Sequence, residues 1–429
     1  MSHAFLVESI VATVLVVNAL QPLPGTPLSP FLFFLSWLTS ELAPQSLVIQ
    51  AGLTTYFILS GALEERSGLV GLGLSVLTMA GLAVLIWEGM RAKGVTERAL
   101  CEGLGREYLE RIPPDRRSNY DLRVPWRQLV LPFHQSHPDV ERIKNLTYGP
   151  HGRRNRLDVY RHKDHPADSP VLIQVHGSGW TVSNKEHQGK PIMLHHAARG
   201  WVCVAPNYRL SPRATWPEHL VDVKRVIAWV RENIQEHGGD PSFIAITGGS
   251  AGGHLASMAA LTPNEPEYQP EFEDADTSVQ ACVPIYAPSD LADASNVTNW
   301  GRRRVLLERM VMKQKYRKDP DLFRSASPYH RVSPEIPPFF VIHGKHDLLS
   351  PVKEARRFAE RLREQSSSPV VYAELPGAQH AFDVFPSIRT AYVVRAIERF
   401  LDYLTALRGK KVPREGAATE SSGARPAAR

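Results

Sequence analysis

Cysteine is scarce. Three residues in 429 cannot build a disulfide framework, and no Cys-x-x-Cys pair or Cys/His ligand spacing is present, so neither a stapled fold nor a structural metal site is expected. Charge is scarce at one end. Residues 1–87 hold one base, Arg66, and four acids, Glu8, Glu41, Glu64 and Glu65, a net charge of −3. The remainder holds 49 bases and 40 acids, so the formal net charge of +6 averages two unlike parts. Nor is an aromatic platform or nucleic-acid-binding motif set beside the basic residues, and nucleic acid is not an expected partner. With 43% hydrophobic and 22% charged residues, wholesale disorder and collagen-like structure are excluded. The length allows up to three units at roughly 150 residues each, or one large α/β domain with additions.

The uncharged stretches are long. Leu42–Leu63 runs for 22 residues without a charge, Glu64, Glu65 and Arg66 follow, and Ser67–Trp87 adds 21 more. About 20 apolar residues cross a hydrocarbon core of ~30 Å as a helix, so 42–63 and 67–87 read as a transmembrane hairpin. Gly71 and Ser75 would let helices approach closely. Upstream, Phe5–Leu20 carries Glu8 and ends at Pro22, Pro24, Pro27 and Pro30; it is a third span or an interfacial helix. A cleaved signal peptide competes, but no Lys or Arg precedes the run. Arg91, Lys93 and Arg98 follow the last span, and the positive-inside rule then sets residues 88 onward in the cytoplasm of a multi-pass membrane protein. Residues 1–87 are thus the expected anchor, in contact with membrane lipids. Its removal should leave a soluble domain.

Residues 88–140, with Pro113-Pro114 and no clear period, read as a linker and cap-like helical region. From 141 to 407 apolar strand-like runs alternate with helical stretches. The strands fall at Ile143–Tyr148, Leu157–Arg161, Val171–Val175, Trp201–Ala205, Phe243–Thr247, Gln280–Ile285, Phe339–His343 and Val370–Leu375. That alternation argues an α/β fold: a mostly parallel eight-stranded sheet covered by helices on both faces. Residues 408–429, with six bases and two acids among Ala, Ser, Gly and Pro, read as a disordered basic tail. Arg302–Lys318 holds eight bases and one acid, Glu308. It is either a charged helix over the domain or a contact for anionic lipid headgroups.

Three signals carry chemistry. Gly248-Gly249-Ser250-Ala251-Gly252 fits G-x-S-x-G, between a strand and a helix opening at Gly253-His254-Leu255. Small residues there permit the sharp turn that presents a serine nucleophile at a helix N-terminus. His176-Gly177-Ser178-Gly179-Trp180 follows a strand, and a glycine-rich turn there leaves backbone N–H groups unpaired that, with that of Ala251, can receive an oxyanion. A serine needs a base and the base an orienting acid. His380 lies in a glycine turn after the strand Val370–Leu375, and Asp347 follows the strand Phe339–His343, giving the chain order Ser250, Asp347, His380. Asp290 is the rival acid; Asp383 is too close to His380 in sequence to orient it well. His254 reads as packing, and His343 and His346 lack a third ligand for a metal.

Four blocks together resemble the hormone-sensitive-lipase-like branch of the α/β-hydrolase superfamily of carboxylesterases and lipases: HGSGW at 176–180, NYRLSP at 207–212, GGDPSFIAITGGSAGGHLA at 238–256, and HGKHD with GAQHAF at 343–347 and 377–382. The apolar leader is similar to that of membrane-anchored mycobacterial esterases. The resemblance implies Ser250, Asp347 and His380 as catalytic triad, Ser178, Gly179 and Ala251 as oxyanion hole, His176, Gly177, Gly248 and Gly252 as motif positions, and hydrolysis of small-molecule or lipid esters without cofactor or metal. An amide- or peptide-cleaving hydrolase would share this triad. Two positions depart from the family: Ser178 replaces the middle glycine of HGGGW, and Gly249 stands where an acidic residue is common.

Overall fold

The computed structural model describes residues 1–23, 29–117, 120, 124–165, 167–293 and 300–408, without the side chains of Pro30, Trp300 and Arg302. The tail expected over 408–429 lies outside them beyond Arg408. Four helices open the chain: α1 (Ser2–Leu20), α2 (Ser29–Glu41), α3 (Ala43–Leu59) and α4 (Arg66–Leu104). Two of them, α1 and α4, are long and apolar enough to cross a membrane. Between them α2 and α3 meet at 84°. Pro44 lies in the first turn of α3, where it starts a helix but could not continue one, because its ring would meet the carbonyl four residues back. The small residues of α4 chiefly face α1: a Cβ on Gly81 would lie 2.4 Å from Val16, Ser75 meets Ser9 at 3.0 Å, and Thr78 meets Thr13 at 2.9 Å.

The last of these helices does not stop at Trp87. It continues to Leu104 as one element of 39 residues, or ~58 Å at 1.5 Å per residue. Ala92, Ala99, Leu100 and Leu104 are buried in the core that also holds the sheet. The first part of the linker and cap-like region expected from 88 onward is therefore helix continuous with the apolar segment. Short helices α5 (Pro114–Arg117) and α6 (Trp126–Val130) follow.

The sheet comprises β1 (Val140–Thr147), β2 (Arg156–His162), β3 (Ser169–Val175), β4 (Val202–Pro206), β5 (Gly239–Gly249), β6 (Ala281–Ile285), β7 (Phe339–Gly344) and β8 (Val370–Leu375), in the order β1-β2-β4-β3-β5-β6-β7-β8. All eight expected strands are present. β2 is antiparallel to both neighbours and the others pair in parallel. The central strands read as near-continuous Val/Ile/Ala runs because helices bury both faces. Those helices are α7 (Lys190–Ala198), α8 (Glu218–Asn233), α9 (Ala251–Leu261), α10 (Trp300–Leu306), α11 (Pro320–Ser325), α12 (Val352–Gln365) and α13 (Ile388–Ala406). In-register pairs Val175–Gly248, Gly249–Ile285, Ile285–Ile342 and Gly344–Leu375 set the carboxyl ends of β3, β5, β6, β7 and β8 side by side.

The amino-terminal helices are built into this domain. Glu41, the last residue of α2, pairs with Arg389 of α13, each side chain only 1% exposed, and accepts from Ser387 Oγ at 2.7 Å. Gly103 of α4 sits so close to β8 that a Cβ there would lie 2.7 Å from Val371. Deleting residues 1–87 would leave Arg389 without its carboxylate, contrary to the expectation of a soluble remainder. Removing one partner of a buried ion pair costs about 3–5 kcal/mol. Glu41→Ala is expected to destabilise the full-length protein by about that much, and deletion of 1–87 to give aggregated protein. Urea unfolding in detergent and size-exclusion chromatography check both.

Candidate active site

β5 ends at Gly249, and Ser250 turns the chain into α9 with φ 56° and ψ −125°, a conformation that L-residues avoid. Its N–H donates to the Ile285 carbonyl at 2.9 Å, so the neighbouring strand holds the turn. A Cβ at Gly248 would lie 2.6 Å from the Val175 carbonyl oxygen, and one at Gly252 only 2.1 Å from the same atom. Both positions need glycine because backbone meets backbone there.

The loop after β3 lies against this turn. An added Cβ on Gly177 would be 3.1 Å from Ser250 Cβ. His176 does not face the reacting side; its ring stacks on Tyr208 at 4.4 Å, and the Tyr208 hydroxyl donates to the His176 carbonyl at 2.9 Å. Burial pushes the His176 imidazole down to about 3, so it is neutral. The Gly177 N–H donates to Gln188 Oε1 at 2.6 Å and is occupied. Ser178 and Gly179 follow with φ of 73° and 63°. Among the described residues no protein acceptor meets the N–H groups of Ser178, Gly179 or Ala251. The Ser178 departure keeps a backbone donor at the expense of a left-handed backbone on a residue with a Cβ.

On the other flank, Asp347 and His380 extend from the ends of β7 and β8. His380 Nδ1 lies 2.7 Å from Asp347 Oδ2. The other carboxylate oxygen accepts from the N–H groups of Leu349 at 2.8 Å and Ser350 at 2.7 Å. His343 Nε2 approaches Oδ2 at 3.4 Å. Burial alone would raise the Asp347 carboxyl, but the imidazoles of His380 and His343 hold it well below the usual carboxylate range. The rival acid Asp290 turns elsewhere, 3.6 Å from His330. Asp383 is taken by the Tyr286 hydroxyl, which donates to it. His254 Nε2 bonds the Ala326 carbonyl at 2.7 Å, and its ring packs on Trp180 and Trp216.

Tyr286 connects the two flanks. Its ring lies on His380 at a centroid distance of 4.5 Å, while its hydroxyl occupies the place of a Gly249 side chain, 2.5 Å from where a Cβ would be. The absence of an acid at 249 thus has a steric reason: the phenol fills that space and takes Asp383 as its partner. Sequence reading missed Tyr286, although its position directly after β6 matches that of His176 after β3. It gave Tyr208 and His343, which brace the site, no role there, and it missed Gln188 and Phe33 of α2, whose ring meets His380 edge-on at 6.1 Å. Of the basic stretch 302–318, Arg303 turns inward to a buried pair with Glu354 at 2.6 Å, and Arg304 bonds Glu308 at 2.7 Å. Those two serve the domain's own packing.

Comparison with known proteins gives a consistent picture. The sequence profile of the family described as BD-FAE matches residues 157–362. The chain is 41% identical over 412 residues, covering 92% of each, to the probable carboxylic ester hydrolase LipM of Mycobacterium tuberculosis. It is 43% identical to esterase LipQ of the same organism, over 75% of this chain and 77% of that one. Among solved structures, butyrate-bound esterase Est2 of Thermogutta terrifontis aligns with a TM-score of 0.52 and 26% identity, over 64% of this chain and 97% of that one.

Two outcomes follow. Gly252→Ala must displace the turn, and a shift near 1 Å costs about 10²-fold in rate, so ester turnover should fall by at least that factor in a p-nitrophenyl ester assay. Four imidazoles are buried neutral, His176 and His219 near 3 and His196 and His254 near 4, against an ordinary 6.5. Their folded values are depressed, so their stabilisation is complete above 6.5 and is lost as pH falls toward 3–4. His343, raised by Asp347 against its burial, opposes this, as do the Asp383 and Asp402 carboxyls raised by burial, while Asp347 and Glu398, held low by their histidine partners, act with the four. The melting temperature should be level from pH 7 to 8 and fall steadily from 6.5 to 4.5 in thermal scans.

Proposed function

The chain belongs to the hormone-sensitive-lipase-like α/β-hydrolase esterases and is a carboxylic ester hydrolase; from that premise we propose that Ser250 is its nucleophile, His380 its general base and Asp347 the acid that orients the histidine. The 2.7 Å contact between His380 Nδ1 and Asp347 Oδ2 carries this reading, because it fixes the tautomer that leaves Nε2 to accept a proton. The unusual backbone of Ser250 supports it further: such strain persists only where the surroundings enforce it.

In the reaction, Ser250 Oγ attacks the ester carbonyl as its proton passes to His380 Nε2. The carbonyl oxygen becomes an anion and takes hydrogen bonds from the N–H groups of Ser178, Gly179 and Ala251. The imidazolium, stabilised by the Asp347 carboxylate, returns the proton to the leaving alcohol. Water then attacks the acyl-serine by the same route, with His380 again as base, releasing the acid and restoring the serine. Every proton in the cycle moves on His380.

The apolar helices α1 and α4 support a second part of the proposal. They hold the enzyme in a membrane, with α2 and α3 beside them and the catalytic domain on the cytoplasmic side, where Arg91, Lys93 and Arg98 follow the span. Protease protection in right-side-out vesicles, with digestion in inverted ones, is the expected result.

Ser250→Ala should lower kcat on the order of 10⁴–10⁶-fold and abolish labelling by a fluorophosphonate. Retention of turnover within tenfold would sink the assignment. Asp347→Asn should lower kcat by about 10⁴-fold while leaving fluorophosphonate labelling slow but detectable, since it removes the orienting acid and spares the nucleophile.

A further inference from the structure

α2 has two unlike faces. Phe33, Ser36, Trp37, Ser40 and Glu41 recur at the 3.6-residue helical spacing and turn toward the catalytic domain. Each of them touches the loop that carries His380 or a residue that anchors it. Phe33 meets the His380 ring; Gln379 Nε2 donates to Ser36 Oγ at 2.9 Å; Trp37 packs on Phe385 at 5.4 Å; Ser40 Oγ donates to the Gly377 carbonyl at 3.1 Å; Glu41 pairs with Arg389. The opposite face carries Phe31 and Phe34, 63% and 53% exposed, and α2 has no charge besides the inward Glu41. A cover facing water would be polar on that side.

Exposed apolar residues recur beyond α2. Phe385 also touches Phe133 at 5.2 Å, and Phe133 is 68% exposed beside exposed Val130 and Leu131. On its other side α2 is tied to α1, where Asn18 Nδ2 donates to the Leu32 carbonyl at 2.9 Å. The outward residues of α1 and α4, such as Val7, Val14 and Leu77, are exposed and apolar as well. Exposed apolar side chains therefore occur on the helices able to cross a membrane, on α2 tied to them, and at Phe133 beside the histidine loop. Exposed apolar groups on the candidate spans and on the helix tied to them share one fitting environment, the hydrocarbon of a bilayer.

Building on the esterase reading above, we propose that the rim of the histidine loop lies in the hydrocarbon layer of the bilayer, so that an ester dissolved in the membrane reaches Ser250 from the lipid side along Phe33 and Trp37. The substrate class is then a lipid ester with a long acyl or alkyl chain, whose tail stays among Phe31, Phe34 and Phe133 while its carbonyl enters between Ser250 and the Ser178–Gly179 turn. Helix α2 acts both as access wall and as brace for the catalytic loop.

The test uses the full-length protein in phosphatidylcholine vesicles with two substrates, p-nitrophenyl acetate in the water phase and p-nitrophenyl palmitate dissolved in the vesicles. The double variant Phe31→Asp/Phe34→Asp should lower the palmitate-to-acetate ratio of kcat/KM at least tenfold. Phe31→Leu/Phe34→Leu, which keeps the face apolar, should hold the ratio within twofold of the parent. A ratio that stays within twofold in the aspartate variant overturns the proposal, as does an equal fall of both rates, which would mean only a damaged fold. Fluorophosphonate labelling of the same preparations separates the two levels. An unchanged ratio in variant protein labelled at Ser250 defeats lipid-side access alone, whereas absent labelling with absent acetate turnover in the parent protein defeats the serine-esterase reading beneath it.

Discussion

Two stretches of backbone meet with no side chain between them where β3 and β5 end, and the rest of the site depends on that approach. The Val175 carbonyl sits within 2.6 Å of the places where side chains at Gly248 and Gly252 would begin, and Gly177 presses equally against the Gly249 carbonyl. Only this closeness lets the turn bearing Ser250 share one small volume with the N–H groups of Ser178 and Gly179. Parallel pairing in register does the remainder. Since β6, β7 and β8 end at the same level, Tyr286, Asp347 and His380 emerge beside the turn although they are far apart along the chain. Crevices at the carboxyl ends of such sheets are where α/β folds place ligands, for the same geometric reason.

The histidine loop is held from two directions. From within, Asp347 and Tyr286 fix the imidazole edge and face; from outside, α2 fixes the loop through Gln379, Gly377 and Arg389. A loop bearing the proposed base that borrows its support from an apolar helix at the other end of the chain couples the two regions energetically. A disturbance of the amino-terminal helices is then felt by His380 without any contact with substrate, through a pair of charges that neither water nor lipid can replace.

Much of this was legible beforehand. The eight strands announce themselves as short Val/Ile/Ala runs spaced by helical stretches, and the G-x-S-x-G turn combines glycine spacing with a strand before and a helix after. Both are local patterns, set by neighbours in sequence. What stayed hidden depends on residues that meet only in the fold. Nothing near Glu41 announces Arg389, 348 positions away. Nothing at Gly249 announces that the phenol of Tyr286, just after β6, fills its side-chain space. The continuation of α4 past Trp87 was obscured because its character changes there: the lipid-like composition ends at Glu88, yet the backbone stays helical because Ala92, Ala99, Leu100 and Leu104 find a protein surface to bury against. Composition marks a change of surroundings, and a helix can outlast such a change.

That unbroken helix has a mechanical meaning. With no hinge between its apolar half and the half packed on β8, the domain is mounted on a stiff post instead of hanging from a tether. Under the proposed membrane placement, its mouth keeps one height and one heading relative to the lipid, so encounters with substrate become a search in two dimensions. Bilayer thickness, by tilting the post, would then set how well the mouth meets the leaflet.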